Sequence, residues 1–440
     1  MVAAELESLG VQVKEIEPAG VAFEATPLML FRVNCWSRLA TRILVRLDTF
    51  PARDFATLER RARRVPWGDV LQAGDIVELS VTCRKSRLYH SDAVAERIAR
   101  GIAMAVPGVA LSAIKALVDD DADDADDADD ADDANDADDA DDQADNDVVD
   151  GGHGMHAKIA VPTVLTVQRV TSSRNPHGRA TTSQRNSATT SQHTSRVQRI
   201  LVRFDHDVCT ISADASGELL HRRGWRLDSG KAPLRETLAA ALITASGWTA
   251  DVPFIDPMCG AGTIAIEAAL RARNIAPGLS RTFSCEFWPH VKPEIALAER
   301  ERAASGVLQA APAAIIAADR DAGAMEATRT NAQRAGVLQD LTLVQQPLSD
   351  TRAASLGARG WIVTNPPYGV RTGDPHTLPA LWGRLGAAVR EAGPGWTLAA
   401  VAPDPALARE IRLPLDRVVV TTTGGRQVAF VRSRLPKKSG

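Results

Sequence analysis

Hydrophobic and polar positions change rhythm along the chain. Residues 38–50 (RLATRILVRLDTF) begin with helical spacing and end on strict alternation, the pattern of a half-buried strand. Residues 54–67 (DFATLERRARRVPW) keep apolar side chains on one face and arginines on the other, which predicts an amphipathic helix with a strongly basic face. Residues 75–86 (DIVELSVTCRKS) alternate again. Residues 91–106 predict a helix with Ser91 as its N-cap. Residues 197–216 (VQRILVRFDHDVCTISADAS) alternate on both sides of Asp205–Asp207, the signature of a hairpin.

From Lys231 the rhythm becomes strand then helix, repeatedly. Residues 235–247 predict a helix, and 252–274 a strand, a glycine turn and a helix. An additional helix over 292–305 precedes a strand at 313–321 and a helix at 322–335. Next come the strands LTLVQQ and WIVTNPPYG, a helix over 378–393, the strand WTLAAVAP and a short helix over 405–411. The chain closes with two alternating runs around Gly424-Gly425 in 417–434, a second hairpin. Parallel strands with crossover helices and an antiparallel end predict an α/β, doubly wound sheet with one reversed strand.

Composition separates these two regions. Residues 119–150 hold nineteen aspartates and no lysine or arginine, and 172–196 are rich in Ser, Thr and Arg. Neither pattern buries a core, so 119–196 reads as one disordered insertion, acidic first and Ser/Thr/Arg-rich after. The acidic run also hides the charge of the remainder. The whole chain carries −4, whereas without those aspartates it carries +15. That excess favours an anionic partner such as nucleic acid. The five cysteines are scattered with no CxxC pair, which argues against a disulfide framework or a zinc site and for a reduced, cytoplasmic setting. No apolar run reaches the ~20 residues of a membrane helix. The start, MVAAELESLG, lacks the basic and apolar regions of a secretory signal.

Candidate chemistry gathers at three strand ends. In FIDPMCGAGT (254–263) an apolar strand stops at Asp256, and Gly260 and Gly262 turn into a helix beginning near Thr263. Such a turn brings backbone N–H groups close to a ligand, though G-x-G alone also fits an ordinary tight turn. The third glycine of a dinucleotide fingerprint is replaced by Ala265. Asp319 ends the following strand, where an acid can accept hydrogen bonds from two ribose hydroxyls. In TNPPYG, Pro366 and Pro367 fix φ, so the Asn365 carboxamide and a neighbouring carbonyl are held rigidly. Two acceptors suit the two hydrogens of an NH2 group, and Tyr368 offers a flat face for stacking. Together these residues read as a clamp for the exocyclic amine of a nucleobase. His290 and His376 fall in loops and carry no expected catalytic part, and no metal is expected.

DPMCGAGT, DRD and TNPPYG, in this order, resemble the class I S-adenosylmethionine-dependent methyltransferases that act on amino groups. Residues 219–248 and NIAPGLSR (274–281) are similar to the bacterial THUMP-domain 23S rRNA guanine-N2 methyltransferases, as is RVNCWSRLATRILVRL (32–47). The resemblance implies a ferredoxin-like piece over 1–50, a THUMP RNA-binding domain over 51–118 and 197–216, and a Rossmann-like catalytic domain over 217–440. It implies S-adenosyl-L-methionine as cofactor, held by Asp256, Cys259, Gly260, Gly262, Thr263, Asp319 and Asn365, with Asn365, Pro366 and Tyr368 holding the target guanine. It places Lys231 and Pro233 in a segment packing over the cofactor. The expected reaction is methyl transfer to a guanine N2 amine, with rRNA the first substrate and tRNA the second. Adenine-N6 methylation of DNA and a non-catalytic RNA-binding role stay open as alternatives. Three departures stand out. The chain begins almost at a helix that follows a further strand in homologues. The place of an adenine-contacting acid reads QQPLSD, with Pro347 near it and Asp350 three residues later. The acidic insertion interrupts the RNA-binding half.

Overall fold

A computed structural model describes residues 1–17, 20–112, 115–116, 164–170, 196–226, 234–368, 376–423 and 426–434. The expectations on the aspartate run, on residues 172–195, on Lys231 and Pro233, and on the Gly424-Gly425 turn lie outside them.

Two sheets organise the chain. The first has nine strands: β1 (Val13–Glu17), β2 (Gly20–Ala25), β3 (Arg42–Pro51), β4 (Ile76–Arg84), β5 (Ala110–Leu111), β6 (Lys115–Ala116), β7 (Val164–Val170), β8 (Val197–Asp205) and β9 (Val208–Asp214). Their order is β1-β2-β7-β3-β9-β8-β4-β5, with β6 beside β4. Helices α1 (Val2–Ser8), α2 (Pro27–Trp36), α3 (Phe55–Ala62) and α4 (Ser91–Ala105) accompany it. The predicted hairpin turns at Asp205–Asp207, with Asp205 paired to Val208.

Four expectations need correction. Residues 164–170 are not part of a structureless insertion: β7 lies parallel to both β2 and β3 and fills the slot between them. Its VLTVQRV sequence is dominated by β-branched and apolar residues, and the facing backbone groups of β2 and β3 need partners. The helical spacing read at 38–41 does not form a helix. That helix is α2, started earlier by Thr26, whose hydroxyl caps the Met29 N–H, and by Pro27 in its first turn. Helix α3 stops at Ala62 rather than continuing toward Trp67, because Pro66 disfavours a helical residue before it and the Trp67 indole takes the Ala62 carbonyl at 2.8 Å. In α4 the cap position is His90, whose carbonyl accepts from Val94, so Ser91 is already inside the helix.

The second sheet contains β10 (Phe254–Asp256), β11 (Ile315–Asp319), β12 (Leu341–Gln345), β13 (Gly360–Thr364), β14 (Trp396–Ala402), β15 (Leu415–Thr423) and β16 (Arg426–Ser433). Its order is β12-β11-β10-β13-β14-β16-β15. The first five strands are parallel, and β16 is the one reversed strand. Helices α5 (Glu236–Ser246), α6 (Thr263–Ala272), α7 (Pro293–Ser305), α8 (Ala322–Arg334), α9 (Leu378–Ala392) and α10 (Pro405–Glu410) complete this half. Alternate residues of each strand serve opposite faces. Ile255, Ile362 and Leu398 pack with Trp382 and Leu385 of α9, whereas Phe254, Val363 and Ala399 join the core with Leu238 of α5 and Ile266 of α6. That second core runs on without a break into the first sheet. Among the described residues no helix is long and apolar enough to cross a membrane.

Candidate active site

Strand order reverses between β10 and β13: the chain proceeds outward through β11 and β12, then returns to the other side of β10. In a parallel sheet that reversal opens a crevice beyond the carboxyl ends of the two strands. Both sequence motifs emerge there, the glycine turn from β10 and TNPPY from β13.

Asp256 and Thr364 bind the two strand ends together. The Thr364 hydroxyl donates to Asp256 Oδ1 at 2.8 Å, and the Met258 N–H donates to the same oxygen at 3.3 Å. Both residues are buried. Burial pushes the Asp256 carboxyl up to about 7; the hydrogen bonds from Thr364 and Met258 oppose that rise, and the nearby charge of Asp319 adds to it. Asn365 follows Thr364 directly, one residue beyond the bond that joins the two strand ends.

The glycine turn is held from behind. Gly260 and Gly262 have φ of 53° and 84°, a left-handed backbone that side chains disfavour. The two glycines differ in what surrounds them. A Cβ at Gly262 would lie 2.7 Å from Thr328 Cγ2, whereas one at Gly260 would meet nothing within 4 Å among the described residues. Gly262 therefore permits packing against α8, and Gly260 borders open space. Thr328 donates to the Gly260 carbonyl at 2.8 Å and Asn331 to the Ala261 carbonyl at 3.1 Å. Both are buried polar residues on α8 that motif reading passed over; a Thr and an Asn three apart on one helix face were the available signal. Cys259 turns its thiol inward, 3.6 Å from Thr328 Oγ1 and 4.0 Å from Met325 Sδ, and burial raises that thiol. Thr263 is the first residue of α6 and is buried.

Asp319, half-buried at the end of β11, reaches the same turn. Its Oδ2 accepts from the Gly260 N–H at 3.0 Å and its Oδ1 from the Asp321 N–H at 3.0 Å. Each carboxylate oxygen retains a second acceptor direction. Beside it, the Gln346 N–H donates to the Asp319 carbonyl at 2.9 Å, and Pro347 leads into a short turn over Leu348–Asp350.

The Asn365 carboxamide oxygen is buried and has no hydrogen-bond partner among the described residues. The loop that presents it is fixed from α9, where the Trp382 indole N–H donates to the Pro367 carbonyl at 3.1 Å. Pro366 is buried, and Pro367 and Tyr368 are half-buried. Sequence reading did not include Trp382, fifteen residues beyond its partner and buried on α9.

The crevice thus brings together a half-buried carboxylate at Asp319, the glycine turn at Gly260 and a buried carboxyl at Asp256. Residues 223–426 match the RMKL-like methyltransferase domain, and residues 1–44 match the RlmL ferredoxin-like domain. An RNA methyltransferase of Synechocystis, provisionally so named, is 26% identical over 434 residues, covering 98% of this chain and 93% of that protein. The ribosomal RNA large subunit methyltransferase K/L of Syntrophotalea carbinolica is 30% identical over 427 residues, 93% of this chain. This chain spans about half that relative's length, 48%. A crystal structure described as a methyltransferase complexed with SAH superposes with a TM-score of 0.73 at 22% identity, covering 98% of this chain and 94% of its own. A methylase-like protein from Clostridium difficile gives 0.73 at 24% identity, covering 100% and 96%. The chain is thus similar to RMKL-like methyltransferase domains over residues 223–426 and to RlmL ferredoxin-like domains over residues 1–44.

Proposed function

We propose that this chain transfers a methyl group from S-adenosyl-L-methionine to the exocyclic N2 amine of a guanine in large-subunit ribosomal RNA. The buried carboxamide oxygen of Asn365, without a hydrogen-bond partner among the described residues, carries this reading. A buried acceptor without a donor costs about 1–3 kcal/mol, a cost that an incoming N–H offsets. The family match and the large-subunit methyltransferases among the relatives favour RNA as the source of that amine.

When bound, the cofactor supplies an electrophilic methyl, so the protein needs no nucleophile of its own. Asp319 would accept from the ribose hydroxyls, with the Gly260 backbone close by, and Asp256 would lie toward the positively charged end. The chain's main task is to make an aromatic amine reactive, since the amine's lone pair is delocalised into its ring. Asn365 Oδ1 and the Pro366 carbonyl would accept its two N–H groups and draw the nitrogen toward tetrahedral geometry. Positive charge developing there would be stabilised by acceptors already in place. Tyr368 would support the plane of the base, which must leave its stack to enter the crevice.

The direct test incubates the purified chain with labelled cofactor and, separately, large-subunit rRNA, tRNA and DNA, and identifies the methylated nucleoside by mass spectrometry. N2-methylguanosine from large-subunit rRNA is expected. N6-methyladenine from DNA, or no transfer to any RNA, would contradict the proposal.

A further inference from the structure

Glu236 is a buried acid that the account of methyl transfer leaves unused. It opens α5 and is 1% exposed. One carboxylate oxygen, Oε1, faces Arg226 Nε at 3.3 Å. The other, Oε2, is buried with no hydrogen-bond partner among the described residues. A buried acceptor in that state is costly, and more so when it carries charge.

The direction of α5 puts Glu236 at the level of the crevice. The Trp361 indole N–H, near the start of β13, donates to the carbonyl of Ser246, the last residue of α5, at 3.0 Å. The Arg432 guanidinium, on β16 beside β14, donates to the Ala245 carbonyl at 3.3 Å. Helix α5 therefore ends beside the amino ends of the strands and begins toward their carboxyl ends. From Ser246 back to Glu236 the helix rises about 15 Å, whereas β13 rises about 10 Å from Trp361 to Thr364. Alternation along β10 puts Asp256 on the same side of the sheet as Phe254, the side that α5 and α6 cover. Charge on that side is unbalanced. Burial pushes the Glu236 carboxyl up to about 7; Arg226 and Arg223 oppose that rise, and Glu267 adds to it. Arg223 is itself engaged by Glu267 at 3.3 Å, and Arg226 also donates to the Leu234 carbonyl at 2.9 Å. The surroundings of Glu236 are thus short of positive charge.

We infer that Glu236 holds the α-ammonium of the cofactor's amino-acid end, with Oε2 accepting one of its N–H groups. S-adenosyl-L-methionine carries two cationic centres, a sulfonium and an ammonium. In the proposed reaction the sulfonium lies by Asn365, where its methyl leaves, and Asp256 ends the neighbouring strand. The ammonium then takes the acid on the α5 side. An ammonium offers three N–H donors and a sulfonium offers none, so an unfilled acceptor selects the ammonium. The inference rests on S-adenosyl-L-methionine being the methyl donor.

The test measures, by calorimetry on the full chain, affinity for three ligands with a neutral sulfur. They are S-adenosyl-L-homocysteine, its deaminated analogue with hydrogen in place of the α-amine, and 5′-methylthioadenosine, which lacks the amino-acid end. The wild-type chain should bind S-adenosyl-L-homocysteine about 10–100-fold more tightly than the deaminated analogue, the effect of one hydrogen bond between charged groups. Glu236→Gln keeps the side chain's shape and an oxygen for Arg226. It should lose that same factor for S-adenosyl-L-homocysteine and leave the other two affinities unchanged. Equal weakening of all three ligands by Glu236→Gln would mark a structural part and overturn the inference. Equal wild-type affinity for the amine and its deaminated analogue would overturn it as well, whether or not the variant folds. A wild-type chain that binds none of the three would overturn both this inference and the donor assignment, whereas binding of all three with no dependence on the amine would overturn this inference alone.

Discussion

In the proposed reaction Asn365 would act through one buried oxygen, and Asp256 would set the charge beside the cofactor. The Asp256 carboxyl, raised by burial to about 7, is largely protonated in acid. A positively charged cofactor favours its ionised form, so binding below that pKa must release a proton. Calorimetric affinity for S-adenosyl-L-methionine should therefore rise by up to tenfold per pH unit from about pH 6 to 7 and level off above. Asp256→Asn should flatten that profile; an unchanged profile would remove the assignment. The same raised pKa means that the free protein draws stability from the protonated carboxyl at low pH, a contribution lost as pH rises through about 7. Asp256 and Asn365 were legible in the sequence because one ends and the other directly follows an apolar strand in a short motif. Thr328 and Trp382 were not, because their roles exist only once distant segments meet: Thr328 bonds a carbonyl 68 residues earlier.

At the level of elements, the glycine turn makes a divided prediction. Gly262→Ala combines a positive φ with a 2.7 Å clash against Thr328, so it should lower the melting temperature measurably and disturb α6. Gly260→Ala meets open space, so its cost to folding should be only the backbone term of about 1–2 kcal/mol. Its larger effect should be on cofactor affinity, because the turn at Gly260 holds Asp319, the proposed ribose acceptor. Equal effects of both substitutions on melting and on affinity would contradict the separate roles given to them. The alternating and strand–helix patterns of the second sheet were readable because parallel strands with short crossovers leave clear periodicity. Helix α2 escaped notice because Leu30, Phe31, Val33, Asn34 and Cys35 are all buried, which removes the polar stripe that marks a surface helix. Strand β7 was hidden in a biased, polar neighbourhood, and its position depends on β2 and β3 rather than on local signals.

Across the whole molecule, buried charges join the two halves. Glu267, one turn into α6, lies 3.3 Å from Arg223 and 3.9 Å from Arg38. Arg38 also donates to the Ile275 carbonyl at 2.6 Å, and the Arg223 guanidinium donates to the Arg38 carbonyl at 2.7 Å. Removing one partner of such a pair leaves buried charge uncompensated, at about 3–5 kcal/mol. Glu267→Ala should therefore destabilise the full chain by that amount in denaturant titration; a change under 1 kcal/mol would show that the junction does not depend on it. No local pattern reveals this lock, since its members are separated by up to 229 positions and appear in sequence as ordinary charged residues. The crevice between β10 and β13 remains the centre of the account, and single-turnover methylation of large-subunit rRNA by Asn365→Ala tests it most directly. The account predicts a methyl-transfer rate reduced by about 10²–10³ with cofactor affinity held within a few-fold; an undiminished rate would contradict the amine clamp.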